Sequence, residues 1–126
     1  MSVLETKSFE SPDESRDFVA KGRLEVLHLE AGSVRRSTYE PGWRWSEHVG
    51  PLAGSATCQL AHFGVVLSGS QGVRMDDGAE IVLHAGDVFT IPPGHDGWAI
   101  GDEPCVVVDF SGNDPFAGAA APPTPS

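Results

Sequence analysis

Two stretches of this 126-residue chain concentrate the side chains capable of chemistry. Pro41-Gly-Trp-Arg-Trp-Ser-Glu-His48 joins a histidine to an arginine and two tryptophans, and Gly86-Asp-Val-Phe-Thr-Ile-Pro-Pro-Gly-His95 ends on a histidine followed by Asp96 and Trp98. Between them Gln59-Leu-Ala-His62 supplies another imidazole. Histidine ligates transition metals and exchanges protons near neutral pH, arginine grips a carboxylate with two parallel N–H bonds, and indoles line apolar pockets. Side chains alternate along a strand, so an extended segment puts Arg44 and Ser46 on the face of His48. An inward Arg44 would orient an anionic substrate; a rim Arg44 would pack over Trp43 or Trp45. His28, between Glu25 and Glu30, and His84, ahead of Ala85-Gly86, read as surface or hydrogen-bonded residues.

The elements that must position these groups are short. The chain carries 15 glycines and 10 prolines, mostly between apolar runs. In a helix interior Gly costs ~1 and Pro ~3 kcal/mol, which disfavours long helices. The runs Leu24–Leu29, Cys58–Leu67, Ile81–Leu83, Val88–Ile91 and Val106–Phe110 are rich in residues that suit a pleated surface. Asp76-Asp77-Gly78 between two of them marks a hairpin. About eight or nine short strands are expected, in an all-β sandwich or small barrel. The one helical hint is at Ser11-Pro-Asp-Glu-Ser15, where Ser11 can cap a turn with Pro12 just inside it. Residues 1–22 read as an N-terminal extension, 23–112 as a single barrel domain and 113–126 as a flexible Ala/Pro-rich tail with too little to bury.

Composition removes several function classes. Eight Lys and Arg against 18 Asp and Glu leave a formal charge of −10, which repels phosphate backbones and argues against nucleic acid or an anionic membrane as partner. No apolar run approaches the ~20 residues of a membrane helix, and the N-terminus lacks the basic start and apolar stretch of a signal peptide. Two cysteines do not staple a secreted mini-domain. The expectation is a cytoplasmic protein. Phosphate-cradling glycine loops, a nucleophilic serine elbow at Gly69-Ser-Gln-Gly and a Cys-x-x-Cys pair are all missing from the sequence.

The two segments resemble the paired signature motifs of the cupin superfamily. Gly42 and His48 match the start of the first motif, His62 and Gly69 its end, and Gly86, Pro92 and Gly94 the second. The resemblance implies a cupin-type jelly-roll β-barrel (a double-stranded β-helix) that commonly holds a divalent metal, in a family of oxygenases, isomerases, lyases, storage proteins and sensors. There are departures. Gly50 stands at the family's second histidine, His62 where its glutamate is usual, Pro51–Ala61 form a longer connection, and Gly97 replaces the second motif's histidine, two residues after His95.

Carried onto this sequence, the resemblance makes His48 and His62 the expected metal ligands, joined by His95 through strand parity with Gly97. Residues two apart share a face ~6.6 Å from one another, so His95 can serve for Gly97. Three imidazoles suit Zn, Fe, Ni or Cu rather than hard cations. Cys58 shares a face with His62, but four extended residues span ~13 Å against metal–ligand bonds of about 2.0 to 2.3 Å. It reads as buried filler unless a bulge intervenes. Arg44, Trp43, Trp45 and Trp98 are expected to bind substrate, and Glu47 and Asp96 to orient an imidazole. The expected function is metal-dependent action on a small organic molecule, anionic if Arg44 clamps it, by an oxygenase, isomerase or cyclase-like reaction. The competing reading is a non-catalytic small-molecule-binding or sensory cupin. A homodimer, through the alternating apolar face of Phe63, Val65 and Leu67, is compatible with either.

Overall fold

The computed structural model describes residues 3–112. Among these residues nine strands run in the order β1 (Glu14–Asp17), β2 (Gly22–Leu29), β3 (Gly32–Tyr39), β4 (His62–Ser68), β5 (Ser70–Met75), β6 (Glu80–His84), β7 (Val88–Ile91), β8 (His95–Ile100) and β9 (Cys105–Gly112). Two single-turn helices, α1 (Trp45–His48) and α2 (Gly50–Ala53), lie between β3 and β4. The strands form one six-stranded sheet, β1-β2-β3-β9-β4-β7, and one three-stranded sheet, β6-β5-β8, with antiparallel pairing throughout. This is the jelly-roll β-barrel that the sequence leads one to expect.

Strand parity decides what the barrel encloses. On β4 the buried residues are His62, Gly64 and Val66 while Phe63 and Leu67 are exposed; on β9 they are Cys105, Val107 and Asp109; on β7, Phe89 and Ile91. The apolar ones among these, Val66, Cys105, Val107, Phe89 and Ile91, meet Val73 and Leu83 of the other sheet in one buried cluster. Phe18, Tyr39 and Trp43 close one part of it, with the Tyr39 and Trp43 rings stacked at 3.9 Å.

Three segments differ from the sequence reading. Residues 11–15 hold no helix; β1 begins at Glu14 and pairs with β2, so part of the span read as an extension is an edge strand of the large sheet. The run Cys58–Leu67 is not one strand. Cys58 makes an isolated bridge to His95, and the strand starts at His62. Arg44 is extended and bridges to Trp98, but the segment from Trp45 onward is helical rather than extended. Trp45 and Val49 are fully buried and Ala53 packs against the core, a four-residue spacing that puts all three on one helical face. The stretch 113–126 lies outside the described residues.

Candidate metal centre

His62 opens β4 and His95 opens β8, so both imidazoles enter the same end of the barrel. Cys58 joins them because its backbone is laced to β8: its N–H donates to the His95 carbonyl at 2.7 Å, and its carbonyl accepts from Gly94 N–H at 2.7 Å. Gln59, Leu60 and Ala61 then leave the extended path, which folds the Cys58 and His62 side chains together at 3.4 Å, Sγ to Nε2. The ligand atoms of Cys58, His62 and His95 all lie within 4.8 Å of one another, and all three residues are buried. The two rings meet edge to face, 5.1 Å between centroids.

Both rings are held from behind. Nδ1 of His95 donates to the Pro92 carbonyl at 3.0 Å, and Nδ1 of His62 lies 3.3 Å from Oδ2 of Asp109. Each Nε2 is thereby left as the nitrogen available to a ligand, the arrangement that metal-binding histidines adopt. Asp109 is itself fixed by Arg35, whose Nε donates to Oδ1 at 2.8 Å.

The buried charges sustain one another. Desolvation opposes an imidazolium at His62, but hydrogen bonds to Asp109 and Cys58 outweigh it and raise its pKa to about 9. Burial likewise disfavours a Cys58 thiolate, and hydrogen bonds from His62 and His95 lower its pKa to about 6 despite that. Burial also works against ionised Asp109, which His62 and Arg35 hold below the usual carboxylate range. In the metal-free site both shifts favour a thiolate at Cys58 and an imidazolium at His62, backed by the Asp109 carboxylate. Cys105, with burial alone acting on it, is pushed up to about 12.

A cavity beside these groups is lined by Tyr39, Trp43, Trp45, Gln71 and Gly97 as well as by His62, His95 and Asp109. The volume open to the centre of a water molecule is ≈ 10 Å³, room for about one water or ion. The indole N–H groups of Trp43 and Trp45 are buried without a hydrogen-bond partner among the described residues.

His62 and His95 therefore come together as the sequence suggests, whereas His48 does not join them. It ends α1, and its Nδ1 accepts the Arg44 N–H at 3.0 Å. Cys58 stands in its place. Trp43 and Trp45 line the cavity as buried core residues, whereas Trp98 is half-buried with the Arg44 guanidinium 4.9 Å above its ring. Arg44 points at Asp96 rather than into the barrel, Nη1 to Oδ2 at 3.2 Å. Asp96 orients no imidazole; it accepts from the N–H and hydroxyl of Ser46, at 3.0 and 2.8 Å. Glu47 is exposed, 3.7 Å from Arg44 Nε. Asp109 and Gln71 were missed by sequence reasoning. Asp109 carries the signal of a lone acid at an inward position within the apolar run Val106–Phe110, and Gln71 is a polar residue at the start of β5.

The architecture and this inward-facing donor set define a small β-barrel built around an internal site. The Cupin_2 pattern, a cupin domain, matches residues 57–111, a span that contains Cys58, His62, His95 and Asp109 and leaves out His48. The chain thus carries a cupin-domain match across residues 57–111, a little under half its length, and shares the cupin fold. Among solved structures it resembles a sugar phosphate isomerase from a cupin superfamily of Silicibacter pomeroyi, with a TM-score of 0.63 and 19% identity over 88% of this chain and 77% of that one. It also resembles an oxalate decarboxylase variant of B. subtilis (TM-score 0.61, 14% identity, 90% of this chain but 31% of that one). KdgF from Halomonas sp. is a third (TM-score 0.54, 16% identity, 77% and 86%). At these identities the likeness is one of fold. No curated protein matches the chain.

Proposed function

We propose that this chain is a cupin that binds a divalent transition metal through Cys58, His62 and His95 and acts on a small organic molecule there. One observation carries the reading: three buried donor atoms, two from residues 58–62 and one from His95, lie within 4.8 Å of one another. The donor set fits such an ion, since one thiolate and two imidazoles suit Zn, Cu, Ni or Fe better than the oxygen-seeking Mg or Ca. Asp109 and the Pro92 carbonyl would keep each Nε2 turned toward it. A metal bound there supplies a Lewis acid, or a site for dioxygen if it is redox-active. The chain's own contribution is to exclude water with Trp43 and Trp45, and to offer their unpaired indole N–H groups to an oxygen-bearing ligand. Sugar phosphate isomerase and decarboxylase activities among structurally similar proteins are compatible with an oxygen-rich, anionic substrate. The reaction is one of the oxygenase, isomerase or cyclase-like types.

A second reading, a non-catalytic binding or sensory cupin, is supported by the tightness of the cavity, which as it stands admits an ion or a water rather than an organic molecule. Metal analysis of protein purified without an affinity tag tests the site common to both. A stoichiometric first-row metal supports it; less than roughly a tenth of an equivalent, with no uptake on dialysis, rejects it. Thermal-shift screening against small carboxylates then separates the readings, because a carboxylate that stabilises the protein without turnover marks a sensor. The homodimer is likewise a proposal. It is supported by the outward apolar residues Phe63, Leu67 and Val88, all exposed, and sedimentation equilibrium tests it, a monomer at high concentration discarding it.

A further inference from the structure

We infer that Gln71 is the fourth protein donor of the proposed metal centre, occupying the space that Gly97 leaves inside the barrel. The inference rests on the Cys58–His62–His95 reading and extends it to a residue that neither motif contains.

The geometry begins with an absence of side chain. Gly97 is buried on β8, two residues beyond His95 and on the same face. A Cβ built on Gly97 would meet Nε2 of Gln71 at 3.0 Å, with the Gly72 carbonyl oxygen next at 3.4 Å and the Trp43 ring at 3.7 Å. Gln71 therefore extends from the neighbouring strand into the volume that a larger residue at 97 would fill. It is only 7% exposed, and it lines the same cavity as His62 and His95. No hydrogen bond joins its side chain to another of the described residues, and its amide atoms are not among those fully buried without a partner. Its acceptor oxygen thus has no protein partner, in the cavity that His62 and His95 also line, and the three proposed donors would leave an ion one position short of tetrahedral.

The set also makes a chemical class of centre. Two imidazoles and a thiolate with a weaker oxygen donor such as glutamine form the copper sites of the blue type, and they equally suit four-coordinate zinc. Such a set selects soft or borderline ions.

Titration of the metal-free full chain with Co(II), followed by visible absorption and by competition with Zn(II), tests the assignment. The wild type is expected to take up one equivalent, with a thiolate-to-cobalt charge-transfer band and the intense ligand-field bands of four-coordination. Gln71→Leu should keep the charge-transfer band, shift the ligand-field bands and weaken Co(II) binding about tenfold. Gln71→Glu, close in shape, should bind Co(II) more tightly than the wild type, and it serves if the leucine variant does not fold. Unchanged ligand-field bands and affinity in both variants would overturn the role of Gln71 while leaving the three-residue centre standing. A wild type that takes up no Co(II) would instead remove the centre itself, and this inference with it.

Discussion

Gly64 of β4 lies directly opposite Asp109 of β9, and nothing larger than a hydrogen fits between them. A Cβ at Gly64 would fall 2.7 Å from the Asp109 Cα and 2.1 Å from the Val108 carbonyl oxygen. This close approach sets the carboxylate of Asp109 at the height of His62, two residues earlier on the same face of β4. The backbone fit and the electrostatics of the site are one arrangement.

Gly64→Ala is expected to force β4 and β9 apart, since the obstructing atoms are backbone and cannot turn aside. Overpacking of this kind costs about 1–3 kcal/mol or more. Urea unfolding reads the loss, and chemical shifts of the His62 ring report whether Asp109 has withdrawn. A variant as stable as the wild type would show that the strands can separate freely.

The pH dependence of the metal-free protein follows from the two opposed shifts. The His62 pKa rises from its ordinary 6.5 to about 9, so alone it stabilises the fold below 6.5, and that contribution is lost as pH climbs through 9. The Cys58 pKa falls from 9.0 to about 6, so its contribution is complete above 9 and is lost as pH drops through 6. Between about 6.5 and 9 the unfolded chain carries one proton on sulfur and the folded chain carries one on the ring. Proton counts match, and the pair adds no slope. Cys58→Ser removes the compensation. While Asp109 keeps the His62 pKa raised, the variant should lose stability relative to wild type as pH rises, by up to ~1.4 kcal/mol per pH unit. Parallel stability curves for the two proteins would mean that no such ion pair exists.

Asp96 pins the helical segment over the barrel by accepting from Arg44 and twice from Ser46. Each hydrogen bond to a charged group is worth about 1.5–3 kcal/mol. Asp96→Ala should let α1 open locally, so that alkylation of Cys58 in the native protein accelerates at least ~10-fold. Mass spectrometry of the Cys58 and Cys105 peptides separates this from global unfolding, which would expose both thiols.

The parts of the molecule legible in sequence are those governed by local chemistry. Asp76-Asp77-Gly78 announces its hairpin because Gly78 adopts φ +94° and the Asp77 carboxylate takes the Ala79 N–H. His62 and His95 are legible because strand parity points both inward. His48 misleads because the family motif's ligand slot is carried onto a segment whose period is that of a helix: Trp45 and Val49 are a turn apart, and Pro51 sits in the first turn of α2. Cys58 is discounted for the same kind of reason. A straight strand would hold it far from His62, and only the bridge to His95 reveals that the chain bends there. Gln71 reaches the site through a neighbouring strand and a missing side chain at Gly97, a relation with no trace in either local sequence.

Substitution separates the donors that the sequence suggests from those that the structure assembles. His48→Ala removes a ring whose Nδ1 serves the Arg44 backbone N–H, at the end of α1 and apart from the buried trio. It should leave metal stoichiometry and affinity within about twofold of wild type, with at most ~1 kcal/mol of stability lost from the cap-like contact. Cys58→Ser and His62→Ala each take away a donor atom from the trio. Either should weaken Zn(II) binding by at least 10- to 100-fold, the range that even outer partners of metal ligands command. Isothermal titration of the three variants decides the matter. If His48→Ala loses the metal while Cys58→Ser retains it, the centre lies at the first motif after all and the barrel interior is merely a polar pocket.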